Sequence, residues 1–246
     1  RYRSVKSVVD EIELCIKEYD IGEFNFHDEV FTMDKRRTIE ICREIRKRKL
    51  KFPWVCMARA DSLTEELLEE MKLAGCRKIN FGFESGSKMI LEIMKKKMIP
   101  EKALEAVKLT HRARIKTAGN FMLGNIGETE ETIRQTIDFA KKLNCDTSAF
   151  FIASPFPGTE LYTQAKEKGY LRNNLEWKNF CTLSKNRPTM NLPNLTSERI
   201  QELHRQAYKE YYFRLKYIWK KLTGINSFTE VKNLVNGFLL LLKIRG

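Results

Sequence analysis

The chain has 246 residues, 42% of them hydrophobic and 31% charged, with 45 Lys and Arg against 32 Asp and Glu for a net charge of +13. That is enough apolar material for one large α/β domain with a small extension, and it excludes a disordered or collagen-like chain. The run of apolar residues at 238–242 is far shorter than the about 18–20 needed to cross a bilayer, and the six cysteines (15, 42, 56, 76, 145 and 181) are never closer than 14 positions, which excludes a C-x2-C zinc ribbon or a C-x3-C-x2-C cluster loop within this sequence.

In chain order, 5–19 reads as an amphipathic helix with Ile12, Cys15 and Ile16 on one face. A short strand at 23–26 leads into the polar turn His27-Asp28-Glu29. Asp34 is placed to cap a helix at 35–48, on which Ile39, Cys42 and Ile45 repeat at helical spacing. A strand at 54–58 follows, then Thr64 as the N-cap of a helix at 65–73 closed by Gly75. The pattern continues with a strand at 78–83, helical segments at 87–96 and 101–114, and a strand at 117–123. A helix at 130–143, a strand at 148–153 and a helix at 160–168 complete it. Five strands alternating with helices predict a parallel sheet, curved or barrel-like, whose reactive groups lie at the C-terminal ends of the strands. Because the chain opens on a helix at Arg1, the sequence is expected to be an internal piece whose preceding strand lies before Arg1.

The strand ends therefore hold the candidate residues. Asp28 and Glu29 could accept hydrogen bonds from an ammonium or hydroxyl group, although adjacent acids in a turn are commonly just solvated. Arg59, two residues from Asp61, suits either a ligand carboxylate or a structural ion pair. Glu84 projects from Gly82-Phe83-Glu84-Ser85-Gly86, where a carboxylate suits ribose hydroxyls or an amino group, and Ser85-Gly86 opens the next turn. Met122-Leu123-Gly124-Asn125-Ile126-Gly127 is a glycine-containing strand-to-helix turn that could cradle phosphate or adenine. It is neither G-x-G-x-x-G nor a P-loop, and Thr129 with Thr132 equally fits plain helix capping. Pro155 and Pro157 stiffen the last strand end.

Taken together, these turns resemble the cobalamin-type radical S-adenosylmethionine proteins. His27-Asp28-Glu29-Val30-Phe31-Thr32 is similar to their D-D-x-F-T turn, and Arg59 through Thr64 with Ala74-Gly75-Cys76 to R-x-D-x-L-T…A-G-C. Gly82 to Ser87 resembles G-x-E-S-G-S, Met122 to Thr129 resembles M-x-G-L-P-G-E-T, and Pro155 to Leu161 resembles P-x-P-G-T-x-L. The segment at Arg1 to Ile12 resembles the stretch that follows the family's cluster loop, and the aromatic run at 208–217 resembles its tail helix. The matches run in order over residues 1–170; the departure is Asn125-Ile126, where the family has Leu-Pro.

The resemblance implies a partial (β/α)6 TIM-like barrel over 1–170 and a mostly helical extension over 171–246. It implies a [4Fe–4S] cluster, with its three cysteines expected before Arg1, and S-adenosylmethionine as cofactor, with cobalamin carried by a preceding domain. By the same resemblance, Asp28 and Glu29 lie beside the methionine end, and Glu84 and Ser85 take ribose hydroxyls or the amino group. Met122, Gly124 and Gly127 back the adenine, and Arg59 meets a carboxylate or the substrate. The family performs methyl transfers or ring closures on apolar small molecules, so an ester cyclase-like or a methylthiotransferase-like activity is expected. A flavodoxin or ferredoxin is the expected electron donor, and no nucleic acid partner is expected. Two other classes fit parts of the sequence: a cluster-free barrel lyase, and an interaction or membrane-surface module at 205–246. Ten of the 45 Lys and Arg but only three acids fall within 199–246, which suits solvated helix faces or contact with an anionic surface. Scattered thiols point to a cytoplasmic setting, with peripheral membrane contact through the basic tail.

Overall fold

The computed structural model describes residues 2–180 and 188–223. Its elements are α1 (Val5–Glu18), β1 (Phe24–Asn25), α2 (Lys35–Lys47), β2 (Trp54–Ala58), α3 (Glu65–Leu73), β3 (Cys76–Glu84), α4 (Lys88–Ile93), α5 (Pro100–Arg112), β4 (Lys116–Leu123), α6 (Glu130–Leu143), β5 (Thr147–Ile152), α7 (Glu160–Glu167), α8 (Ser197–Tyr212) and α9 (Leu215–Thr223). The strands form one sheet in the order β1-β2-β3-β4-β5, with each strand next to its successor in sequence. Parallel pairing aligns Phe24 with Trp54 and Ala58 with Phe81. This is the α/β class expected from the alternation of patterns.

The chain divides into two compact units. The first comprises Arg1–Phe83, Met98–Asn120 and Cys145–Thr147; the second comprises Glu84–Lys97, Phe121–Asn144 and Ser148–Gly246.

In the first unit, Val9 and Ile12 of α1 are buried, as are Leu67, Leu68 and Met71 of α3. On α2 the buried stripe is Thr38, Ile41, Cys42 and Ile45 rather than the expected Ile39, Cys42 and Ile45. The shift follows from Thr38, whose single hydroxyl proton is shared between the backbone carbonyls of Phe31, at 3.0 Å, and Asp34, at 2.9 Å, and is so satisfied inside. Trp54 is fully buried, donates its indole N–H to Ala74 O at 2.8 Å, and meets Phe26 and Phe31 edge-on. Gly75 has φ +98°, and a Cβ there would stand 2.4 Å from Phe52 O, so only glycine fits between α3 and β3. The strand expected at 23–26 shrinks to two residues, because the chain turns away at Phe26 after that residue's N–H reaches Val55 O.

In the second unit, α6 begins with the capping box of Thr129 and Thr132. The helix expected at 87–96 is shorter, because Lys95 takes φ +54° and ends it. The backbone of β5 is held by side chains of α8. Tyr212 Oη donates to Ser148 O at 2.7 Å and accepts from Ser148 N at 2.9 Å. One turn earlier, Tyr208 Oη accepts from Phe150 N at 3.2 Å, and His204 Nε2 lies 2.8 Å from Phe150 O. Residues 204, 208 and 212 are four apart, so one face of α8 supplies a ladder that satisfies strand groups which would otherwise seek another strand. Burial holds the His204 imidazole below its usual pKa, so it serves in neutral form.

Tyr212→Phe strips one partner from both the N–H and C=O of Ser148. It should lower stability by about 1–3 kcal/mol in urea unfolding, with Tyr208→Phe acting in the same direction. Unchanged midpoints would show that water replaces the hydroxyls at no loss.

Candidate functional site

In the second unit, the turn after β3 is held by a set of hydrogen bonds to α6. Glu84 has φ +65°, a conformation that L residues avoid. The next residues are pinned by Thr136 of α6. The Thr136 hydroxyl accepts from Gly86 N at 3.0 Å, lies 3.0 Å from Ser85 Oγ, and donates to Thr132 O at 3.1 Å. Ser85 Oγ also accepts from Ser87 N at 3.1 Å. A Cβ on Gly86 would fall 2.5 Å from Gln135 O and 2.6 Å from Phe139 Cβ, so this glycine lets the turn lie against α6. Ser85 and Thr136 are completely buried. The half-buried Glu84 carboxylate is met by Lys96 Nζ at 3.2 Å.

Ser85, expected to touch a ligand, is therefore a buried anchor whose hydroxyl is spent on Thr136 and Ser87. The contacts of Lys96 with Glu84 and of Thr136 with Gly86 were not legible in the sequence: nothing in their spacing tells them from an ordinary surface lysine and a helix-interior threonine.

The turn after β4 is held by a carboxylate, that of Glu128. Glu128 is buried, and its Oε2 accepts from the backbone N–H of both Gly124 and Asn125, the latter at 2.9 Å. Its Oε1 is buried without a hydrogen-bond partner. Burial pushes this carboxyl up to about 7, against the downward pull of the two N–H groups. Gly124 (φ +82°) and Gly127 (φ +87°) supply the left-handed turns, and a Cβ on Gly127 would stand 2.6 Å from Ile93 Cδ1. The N–H groups of Gly124 and Asn125 thus face Glu128, which argues against a phosphate cradle built on them. Met122 packs against a cluster of Ile126, Ala153, Ala165 and Met190. Ile126 and Asn125, the departures from the family pattern, are both buried, Ile126 in that cluster and Asn125 with its Nδ2 at 3.5 Å from Met94 Sδ.

In the first unit, Asp28 and Glu29 are exposed on the turn after β1, and among the described residues no ion pair or hydrogen bond engages either carboxylate. Arg59 is committed: its Nε and Nη2 grip Asp61 at 2.9 and 2.6 Å, and Arg59 holds the Asp61 carboxyl below its ordinary pKa. Of the two readings open for Arg59, the structure realises the ion pair.

A [4Fe–4S] cluster needs thiolates. Cys42 and Cys56 are buried. Burial pushes Cys42 up to about 12, and hydrogen bonding with Cys76 together with burial pushes Cys56 up as well. They remain thiols, and among the described residues no group of three His, Cys, Asp or Glu could hold a metal ion. The described residues do not fit the cluster.

A parallel α/β sheet with polar turns at the C-terminal strand ends is the arrangement on which α/β enzymes, TIM-like barrels among them, build their sites. Residues 1–140 match the Radical SAM superfamily, and the chain belongs to that superfamily. An uncharacterized methyltransferase of Pyrococcus horikoshii is 35% identical over 239 residues, covering 97% of this chain and 51% of that protein. The anaerobic magnesium-protoporphyrin IX monomethyl ester cyclase of Rubrivivax gelatinosus is 31% identical over 170 residues, covering 68% of this chain and 31% of the cyclase. The chain thus spans about half the length of the first relative and less of the second. Among solved structures, the cobalamin-dependent S-adenosylmethionine radical enzyme OxsB, with aqua-cobalamin and S-adenosylmethionine bound, superposes with a TM-score of 0.66. The identity is 19%, over 96% of this chain and 41% of OxsB, so this likeness bears on fold alone. The radical S-adenosylmethionine methyltransferase TsrM of Kitasatospora setae gives 0.61 at 24% identity, over 68% of this chain and 32% of TsrM. These likenesses make the sheet a partial radical SAM barrel.

Glu128 gives a pH test. Its folded pKa of about 7 lies above the ordinary 4.5, so the fold binds this proton more tightly than the unfolded chain does. Its contribution is complete below the unfolded value and is lost as pH rises toward 7, by up to about 3 kcal/mol. Urea unfolding of Glu128→Gln at acid and mildly alkaline pH should show a smaller fall in stability with pH than wild type. Parallel pH profiles would contradict the buried-acid account.

Proposed function

We propose that the chain forms part of the catalytic barrel of a radical S-adenosylmethionine enzyme that carries out methyl transfer or ring closure on an apolar small molecule. The observation that carries this reading is Glu84, held at a strand end in a backbone conformation that Ser85, Gly86 and Thr136 enforce, within the stretch resembling G-x-E-S-G-S. Backbone strain maintained by surrounding hydrogen bonds is typical of residues that meet ligands. There the carboxylate can accept hydrogen bonds from ribose hydroxyls or an amino group, while Lys96 limits its motion. In the other unit, the open carboxylates of Asp28 and Glu29 suit an ammonium group. Arg59 and Ser85 support their own turns, and Met122, Gly124 and Gly127 shape theirs.

The bound [4Fe–4S] cluster would supply the electron for reductive cleavage of S-adenosylmethionine. Since the described thiols do not fit it, the reading needs cluster ligands from other residues of the whole protein. A flavodoxin or ferredoxin suits the electron supply. Cobalamin suits a methyl-transfer chemistry; it is bound in the methyltransferase TsrM and, as aqua-cobalamin, in OxsB. The relatives include a methyltransferase and an ester cyclase, and either reaction suits this barrel.

The test is equilibrium dialysis of S-adenosylmethionine against the full-length protein reconstituted with iron and sulfide. Glu84→Gln should weaken binding by about tenfold, the loss of one charge-assisted hydrogen bond, while circular dichroism shows the fold retained. Unchanged affinity in a folded variant would remove Glu84 from the site.

A further inference from the structure

We infer that α9 is a docking surface for an anionic phospholipid bilayer, through the side it turns away from the protein. The helix Leu215–Thr223 carries Lys216, Lys220 and Lys221 and no acidic residue. At 3.6 residues per turn, Leu215, Ile218, Trp219 and Leu222 share one stripe about 100° wide. That stripe faces solvent: the four residues are 85%, 39%, 70% and 54% exposed. Tyr217, on the opposite side, is buried, with its ring 5.7 Å from Tyr211 and 5.0 Å from Tyr212. The helix is therefore fixed by its back, and its apolar stripe is presented outward.

The lysines decide what the stripe fits. On the helical wheel Lys216 and Lys220 flank it on one side and Lys221 on the other, with Lys221 Nζ 5.4 Å from the Tyr217 ring centroid. An apolar stripe bordered on both sides by cations, with an outward tryptophan, matches a surface where hydrocarbon lies beneath negatively charged headgroups. A neutral protein groove would match the stripe but not the flanking charge, and nucleic acid would match the charge but not the stripe. The basic excess within 199–246 adds attraction of the same sign. No described helix is long and apolar enough to cross a membrane, so the contact is with the surface. Nine residues bury little area, and the contact is weak and salt-sensitive.

The full chain, carrying Trp177→Phe so that its two remaining tryptophans are the exposed Trp219 and the buried Trp54, is mixed with vesicles of phosphatidylcholine alone or with about one quarter phosphatidylglycerol. Co-sedimentation should be at least about fivefold greater with the anionic vesicles and should fall in high salt. Brominated lipid should quench Trp219 fluorescence. Leu215→Ser with Leu222→Ser, both at exposed positions and with the fold checked by circular dichroism, should abolish binding and quenching. Binding that ignores the double substitution, equal binding to neutral vesicles, or failure to bind anionic vesicles would each overturn the inference. None of these readouts depends on S-adenosylmethionine, so the cofactor reading stands or falls separately.

Discussion

Glu84 stands in a left-handed conformation that costs an L residue about 1–2 kcal/mol, and the hydroxyl of Thr136 keeps it there. That oxygen receives the Gly86 N–H, pairs with the Ser85 hydroxyl, and returns its own proton to α6 through Thr132 O. Ser85, Thr136 and Thr132 are buried, and Gly86 is half-buried against the same helix. Leaving a buried donor unpaired costs about 1–3 kcal/mol, enough to offset the strain at Glu84. The direction of the Glu84 carboxylate is thus imposed by a helix more than fifty residues further along the chain.

The second turn of the same unit uses a different device. Where the β3 turn relies on neutral hydroxyls, the β4 turn folds around the buried Glu128 carboxyl, which gathers the two N–H groups of Gly124 and Asn125. The left-handed glycines supply the bend, and Ile126 inserts into the neighbouring apolar cluster where the family pattern has proline. A residue that would break the pattern on paper is absorbed by packing. Both turns show strand ends kept in place by polar groups from within, which is what a site for a polar cofactor needs.

Much of the fold was legible because apolar periodicity reports burial directly. The alternation of strands and helices, the caps at Asp34, Thr64 and Thr129, and Gly75 after α3 all follow from local chemistry. The site was legible only through motifs taken together. Glu84 could be named from Gly82-Phe83-Glu84-Ser85-Gly86, but its backbone angle, its Lys96 partner and the Thr136 anchor come from tertiary contacts that no local pattern encodes. Arg59 beside Asp61 was balanced between ligand and ion pair, and only side-chain geometry decided it. The aromatic run of α8 reads as a helix in sequence. That Tyr208 and Tyr212 hold β5 by its backbone depends on where the helix lands. The residues at 224–246, including the apolar 238–242 considered for a membrane surface, lie outside the described residues.

The account turns on whether the carboxylate at the end of β3 meets the cofactor. A crystal structure of the full-length protein with S-adenosylmethionine bound tests this directly. The account predicts a Glu84 carboxylate oxygen within about 3 Å of a ribose hydroxyl or the amino group of the ligand, with the Ser85–Thr136 contact intact behind it. A ligand bound elsewhere, with Glu84 still turned only to Lys96, would contradict it.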